Sequence, residues 1–130
     1  MISLNNYRNA KEVNNLFSKL FEARQVSHQV HLKTDSYAAH KALNGFYDDL
    51  LELIDQLIET FQGQYGLVEK YEIKNLNIEK DEIVNYLEET VKLINVGHKA
   101  FSEKDTHLHN ILDEIVGLFY STLYKLKYLK

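Results

Sequence analysis

No proline stands anywhere in this 130-residue chain, and glycine occurs at only five positions. Turn-rich β-sandwiches and barrels need those residues to reverse direction, so their scarcity points to helices. The apolar residues agree, recurring at the three- and four-residue spacing of one helix face. A first stretch runs from about Leu4 to Leu32 through Val13, Leu16, Phe17, Leu20 and Ala23, then turns polar at Arg24, Ser27 and His31. Thr34, Asp35 and Ser36 interrupt it and offer caps for a second helix. That second helix spans about Ser36 to Phe61, with Leu43, Phe46, Leu50, Ile54, Leu57 and Phe61 as its stripe. A third covers about Glu79 to Ala100 with Ile83, Leu87, Val91 and Ile94. A fourth covers about Asp105 to Leu129, carrying Leu108, Ile111, Leu112, Ile115, Leu118, Phe119, Leu123 and Leu126. Helices of ~25 residues would be ~37 Å long, which suits one four-helix bundle spanning residues 1–130.

The joins between helices are unequal. The first and second are linked by a few residues, as are the third and fourth around Ser102 to Asp105, and short links make antiparallel neighbours. Between the second and third lies Gly63 to Asn77. At ~3.3 Å per residue that segment can run the length of a bundle. A long crossover between two hairpins is the ferritin-like connection, although a long loop in a simple bundle would leave the same trace.

Apolar residues make up 45% and charged residues 26% of the chain, a balance that supports a packed core. The absence of cysteine excludes a disulfide framework, a thiolate zinc site, an iron–sulfur cluster and a cysteine nucleophile. The net charge of −4 counts against a surface built to grip phosphates. The lysines at 125, 127 and 130 fall where a helix end favours cations. No apolar run approaches the ~18 residues of a membrane span, and no basic-then-apolar signal pattern opens the chain. The expected location is cytoplasmic.

Chemistry concentrates on the second helix. With His40 at 0° on a helical wheel, Asn44 falls at ~40°, Asp55 at ~60° and Glu59 at ~100°, so four ligand-type side chains share one side. The core stripe lies elsewhere, with Leu43 and Phe61 at about −60° and Leu57 at about −100°. Tyr47, Leu51 and Ile58 stand among the polar set, an apolar strip wider than the bundle needs. A second subunit is the simplest cover for it. Imidazole nitrogen and carboxylate oxygen suit a hard or borderline divalent metal. The plain alternative is that Asp55 and Glu59 are solvated acids and His40 merely begins a helix. The Glu-x-x-His pair of carboxylate bundles is absent, since Glu103 to His107 has the wrong spacing.

The stretches His31-Leu32-Lys33-Thr34, Tyr37-Ala38-Ala39-His40, Asn44-Gly45-Phe46 and Asp55-Gln56-Leu57-Ile58-Glu59 resemble Dps, the miniferritins. In that family a His near the end of the first helix is followed by a His and an Asp on the second. An Asp and a Glu come eleven and fifteen residues after the first Asp. His40, position 44, Asp55 and Glu59 keep those spacings without a gap. The resemblance is good from about Val26 to Gly66 and is architectural elsewhere; the chain looks most like the short Dps-like proteins of tailed bacteriophages. It implies that histidines of one subunit face Asp55 and Glu59 of a two-fold mate. They would build there a ferroxidase-type site that binds and oxidises iron, in the host cytoplasm or in a virion.

Three departures from the family pattern stand out. Position 44 is Asn rather than Asp, which removes a ligand charge. The first-helix ligand is open: His28 keeps the family's twelve-residue distance to His40, whereas His31 keeps the helix-end context. Met1 to Ala10 holds one Arg and no Lys, so the Lys-rich tail of DNA-binding members has no counterpart. A second kind of function follows from these departures, a structural or interaction protein such as a virion component or sequestering partner, with a degraded metal site. Elsewhere, His98 reads as a hydrogen-bonded core or helix-end histidine, and His107 and His109, two apart, read as surface residues. Arg24, on the first helix's apolar arc, should find an acidic partner if buried.

Overall fold

The apolar stripes become four α-helices in a computed structural model that describes residues 9–130. They are α1 (Ala10–Lys33), α2 (Tyr37–Tyr65), α3 (Ile83–Val96) and α4 (Thr106–Tyr128). No strand forms among the described residues. Ser36 caps α2 as its sequence suggests, its Oγ accepting from the Ala39 N–H at 3.1 Å, while Thr34 Oγ1 accepts from the Ser36 N–H at 3.2 Å. Such a cap stabilises a helix by about 1 kcal/mol and fixes the tight α1–α2 join.

Each helix packs on two others: α1 on α2 and α3, and α4 on α2 and α3. Their directions follow from the ends that meet. Asn9 Nδ2 donates to the Lys99 carbonyl at 3.4 Å, so the segment after α3 lies at the start of α1. Tyr65, closing α2, donates to Asp105 just before α4. Lys127 late on α4 pairs with Glu88 on α3 at 2.7 Å. Adjacent helices are therefore antiparallel, with α1 and α4 running one way and α2 and α3 the other.

The link between α2 and α3, residues 66–82, climbs beside α1. The Glu72 N–H donates to Ser18 Oγ at 2.9 Å, and the Tyr71 ring meets Phe21 edge-on at 5.2 Å. At the far end of α1, Lys33 Nζ donates to the Ile78 carbonyl at 3.0 Å and to Asn77 Oδ1. Backbone groups of this extended segment thus find side-chain partners where no helix can supply them.

The core joins the four stripes. Phe17, Phe46, Phe61 and Phe119 are its largest fully buried side chains. Phe46 meets Phe119 edge-on at 4.9 Å, and Phe17 meets Phe61 in the same way at 5.5 Å. Each buried ring contributes on the order of 2–3 kcal/mol through apolar area removed from water.

Several boundaries move from their expected places. α1 begins at Ala10 among the described residues, and the expected start at Leu4 lies outside them. α2 continues through Gly63 and stops at Gly66, whose φ of 107° is open to glycine but strained for other residues. The Gly66 N–H bonds the Gln62 carbonyl, and Gln62 Oε1 accepts from the Val68 N–H, which turns the chain away from the helix. Gly66→Ala is expected to lower stability by about 1–2 kcal/mol, whereas Gly63→Ala should leave it level or raise it slightly, as two urea titrations would show. The third helix, expected from Glu79 to Ala100, holds only Ile83–Val96 and then tightens to a 3-10 turn over Gly97–Ala100. A Cβ at Gly97 would lie 2.7 Å from Leu16 Cδ1, so the missing side chain permits the close approach to α1.

Candidate metal centre

His28 and His31 stand three apart on α1, and His40, Asn44 and Tyr47 follow at four- and three-residue steps on α2. Helical spacing puts each group on one face, and the short join turns the faces toward each other. The His31 and His40 rings stack at 3.9 Å, the His28 and Tyr47 rings at 4.2 Å, and His31 meets Tyr47 edge-on at 5.2 Å. His28 and His31 are 5.9 Å apart, centre to centre. Both first-helix candidates therefore reach the cluster. His31 is the buried one and His28 is half-buried.

His40 Nδ1 donates to the His31 carbonyl at 2.9 Å, because a carbonyl only accepts. In the neutral ring Nε2 then keeps its lone pair. His31 Nδ1 is buried and has no hydrogen-bond partner of normal geometry. Burial pushes the His31 imidazole below the ordinary histidine range, and the neighbouring His40 and His28 rings push it the same way. Protonation of His31 therefore favours the unfolded chain, which binds the proton more readily. Stability contributed by neutral His31 is present above the unfolded value of ~6.5 and is lost as pH falls from there toward the lower folded value. In chelator-treated protein the melting temperature should drop between pH 7 and 5, and His31→Gln should flatten that slope. An unchanged slope in the variant would remove His31 from the account.

Asn44 is less available than its position suggests, since its Oδ1 accepts from the Tyr47 hydroxyl at 2.8 Å. Asp55 and Glu59 are exposed on the same side of α2 and pair with no described residue. Eleven helical residues separate Asn44 from Asp55, a rise of ~16 Å. The histidines and the acids of one chain thus cannot meet at one ion. No group of three or more His, Cys, Asp or Glu side chains arranged to hold a metal occurs among the described residues.

The apolar strip expected to need a second subunit is largely covered by the chain itself. Tyr47 is buried beneath His28, and Ile58 belongs to the core, leaving only Leu51 half-buried. α2 sits deeper between α1 and α4 than the wheel implies. Among the described residues Arg24 likewise finds no acidic partner; its guanidinium lies 5.9 Å from the Tyr47 ring centre, and its buried Nε has no described hydrogen bond. Tyr47, which the sequence placed only on an apolar flank, is the wall against which His28, His31 and Arg24 all pack.

The chain belongs to DUF5856, a family of unknown function, whose match covers residues 31–126. The matched region begins at His31 and takes in His40, Asn44, Asp55 and Glu59 but not His28. The chain is also similar to an uncharacterized 14.6 kDa protein of Enterobacteria phage T4, in the mobD-ri intergenic region. The two are 25% identical over 107 residues, which cover 82% of this chain and 81% of that protein. No solved structure matches. No described helix is long and apolar enough to cross a membrane.

Proposed function

We propose that this is a Dps-like, ferritin-fold protein that binds and oxidises Fe²⁺ between two copies of itself. His31 and His40, with His28 beside them, would come from one subunit, and Asp55 and Glu59 from the other. The observation that carries this reading is the cluster of three packed imidazoles, in which the buried His31 Nδ1 has no described partner of normal hydrogen-bond geometry, on the flank of α2 where Asp55 and Glu59 have no described partner. A buried polar atom without a partner is costly, and a cation supplies one. An antiparallel copy laid along α2 brings its acids opposite these histidines, closing a gap of ~16 Å that one chain cannot close. Imidazole and carboxylate together suit ferrous iron. Iron is the substrate here, and the protein contributes ligands and geometry while peroxide or oxygen takes the electrons. The path of residues 66–82 along α1, joining two helical hairpins, is in keeping with a ferritin-like topology.

A second reading has its own support. Asn44 brings no charge, and its oxygen is already engaged by Tyr47. A bundle that keeps the shape and gives up the site would serve as a structural or interaction protein, in a virion or with a partner it sequesters. Anaerobic Fe²⁺ titration separates the two. Saturable binding is expected for the wild type, reduced at least tenfold in a His40→Ala, Asp55→Ala double variant. Sedimentation should show a dimer or larger assembly. Equal binding by both proteins, or a strict monomer, would leave the structural reading in its place.

A further inference from the structure

At the other end of the bundle, two histidines face each other through the wrong atoms for a neutral pair. His98 lies in the 3-10 turn after α3, and His109 lies in the first turns of α4. Their rings lie nearly coplanar and head to head, with planes 13° apart and centres 5.0 Å apart, and their Nδ1 atoms are 2.7 Å from each other. The outer nitrogens are both committed. His98 Nε2 meets Asp113 Oδ1 at 2.9 Å, and His109 Nε2 meets the Ser102 carbonyl at 3.0 Å. A carboxylate and a carbonyl only accept, so both Nε2 atoms carry their hydrogens. A neutral imidazole holds one hydrogen, which leaves both Nδ1 atoms as lone pairs aimed at one another. Such a contact repels unless a cation, either a shared proton or a metal ion, joins the two nitrogens.

The surroundings are those that metal-bound histidines have. Metal-bound histidines characteristically donate the remaining ring N–H to a carboxylate or a backbone carbonyl, which fixes the tautomer and the ring's direction. Asp113 and Ser102 do this for His98 and His109 respectively. Both rings are half-buried, with the His98 side chain 26% exposed, so an ion can enter from solvent. Phe101 closes the inner side, its ring edge-on to His109 at 5.9 Å. Metal–imidazole bonds of ~2.0–2.1 Å in tetrahedral geometry separate two nitrogens by ~3.3 Å, so the ion enters when the pair opens by ~0.6 Å and the rings tilt until their lone pairs converge on it.

We infer that His98 and His109 form a two-histidine site for an imidazole-preferring divalent metal such as Zn²⁺, Ni²⁺ or Cu²⁺, bound through Nδ1 of both rings. Water or an incoming ligand completes the coordination, because Asp113 is occupied in orienting His98. This site is independent of the proposed iron site, which uses other residues at the opposite end of α1.

Zn²⁺ titration of the metal-free full chain, followed by ¹⁵N histidine NMR and calorimetry, tests the assignment. Zn²⁺ should shift the Nδ1 signals of His98 and His109 while their Nε2 atoms stay protonated. His98→Ala and His109→Ala should each weaken binding at this site at least tenfold, and His40→Ala should leave it unchanged. Asp113→Asn, on the exposed face of α4, should weaken it about tenfold with the helical circular dichroism spectrum intact. The assignment is overturned if millimolar Zn²⁺ leaves both histidines unshifted, or if they respond to pH alone as a proton-sharing pair. Zn²⁺ binding of undiminished affinity after both alanine substitutions, in a His40→Ala background that disables the proposed iron site, overturns it equally.

Discussion

Phe61→Ala is expected to destabilise the bundle by about 3–5 kcal/mol, the largest effect of any single truncation proposed here. Phe61 has no solvent exposure. Its ring lies 5.5 Å from Phe17 on α1, 6.0 Å from Phe101 between α3 and α4, and 4.9 Å from Tyr65 one turn further along α2. Three parts of the chain that are far apart in sequence meet on this side chain. The space it vacates is walled by other rings on helices that hold one another in place, so it collapses poorly, and uncollapsed cavities carry the upper range of the penalty. Small domains are stable by only about 5–15 kcal/mol, so the loss brings the variant close to unfolding. The melting temperature should fall by roughly 10–20 °C. Phe61→Leu, which keeps most of the volume, should cost about 1–1.5 kcal/mol. A Phe61→Ala loss below about 1 kcal/mol, measured by urea titration, would mean that the ring does not join these elements.

The helices were legible because apolar spacing repeats over many residues and no proline disturbs it. Val13 to Ala23, Leu43 to Phe61 and Leu108 to Leu123 enter the core as their spacing requires, except that Leu118 is only half-buried at its edge. Ends were harder to place. Nothing in the run from Glu79 to Glu82 looks unlike a helix start, yet the helix begins only at Ile83, which is also its first buried residue. Gly63 and Gly66 look alike in sequence, but only Gly66 adopts a backbone other residues resist. The candidate site was half legible. Helical spacing is rigid, so His40, Asn44, Asp55 and Glu59 could be placed on one side of α2. Spacing across a turn is not, so the sequence left His28 and His31 as alternatives, and in the fold both pack into the cluster. The wheel also could not show how deeply α2 is set, and Tyr47 and Ile58 were therefore expected to need a cover they already have. His98 and His109 belong to different elements, and no periodicity links residues across the 3-10 turn.

Glu22 was invisible for the same reason, and it supplies the second large effect. It is a buried carboxylate, 3% exposed, at a polar position on α1's inner face. Lys19 Nζ donates to its Oε2 at 2.5 Å, and the Tyr86 hydroxyl of α3 donates to the same oxygen at 2.6 Å. Lys19 also lies 5.2 Å from the Tyr86 ring centre. Burial pushes the Tyr86 phenol far above the ordinary tyrosine range, and the Glu22 hydrogen bond and charge add to that, so the hydroxyl stays protonated and donating. Lys19→Met removes the cation and leaves a carboxylate with one neutral donor. Stranding a fully buried charge costs about 3–5 kcal/mol; the Lys19 side chain is 25% exposed, so water shares the load and about 2–3 kcal/mol is expected. Tyr86→Phe removes a hydrogen bond to a charged group and should cost about 2 kcal/mol. Because both act on one oxygen, the two losses should not add. The decisive variant combines Lys19→Met, Glu22→Leu and Tyr86→Phe. It removes the cation, the carboxylate and the phenol and leaves no stranded charge, so it should be more stable than Lys19→Met alone despite carrying two further changes. If urea titration instead finds the triple variant weaker than the single one, the network adds net stability, and the burial of Glu22 is favourable rather than merely tolerated.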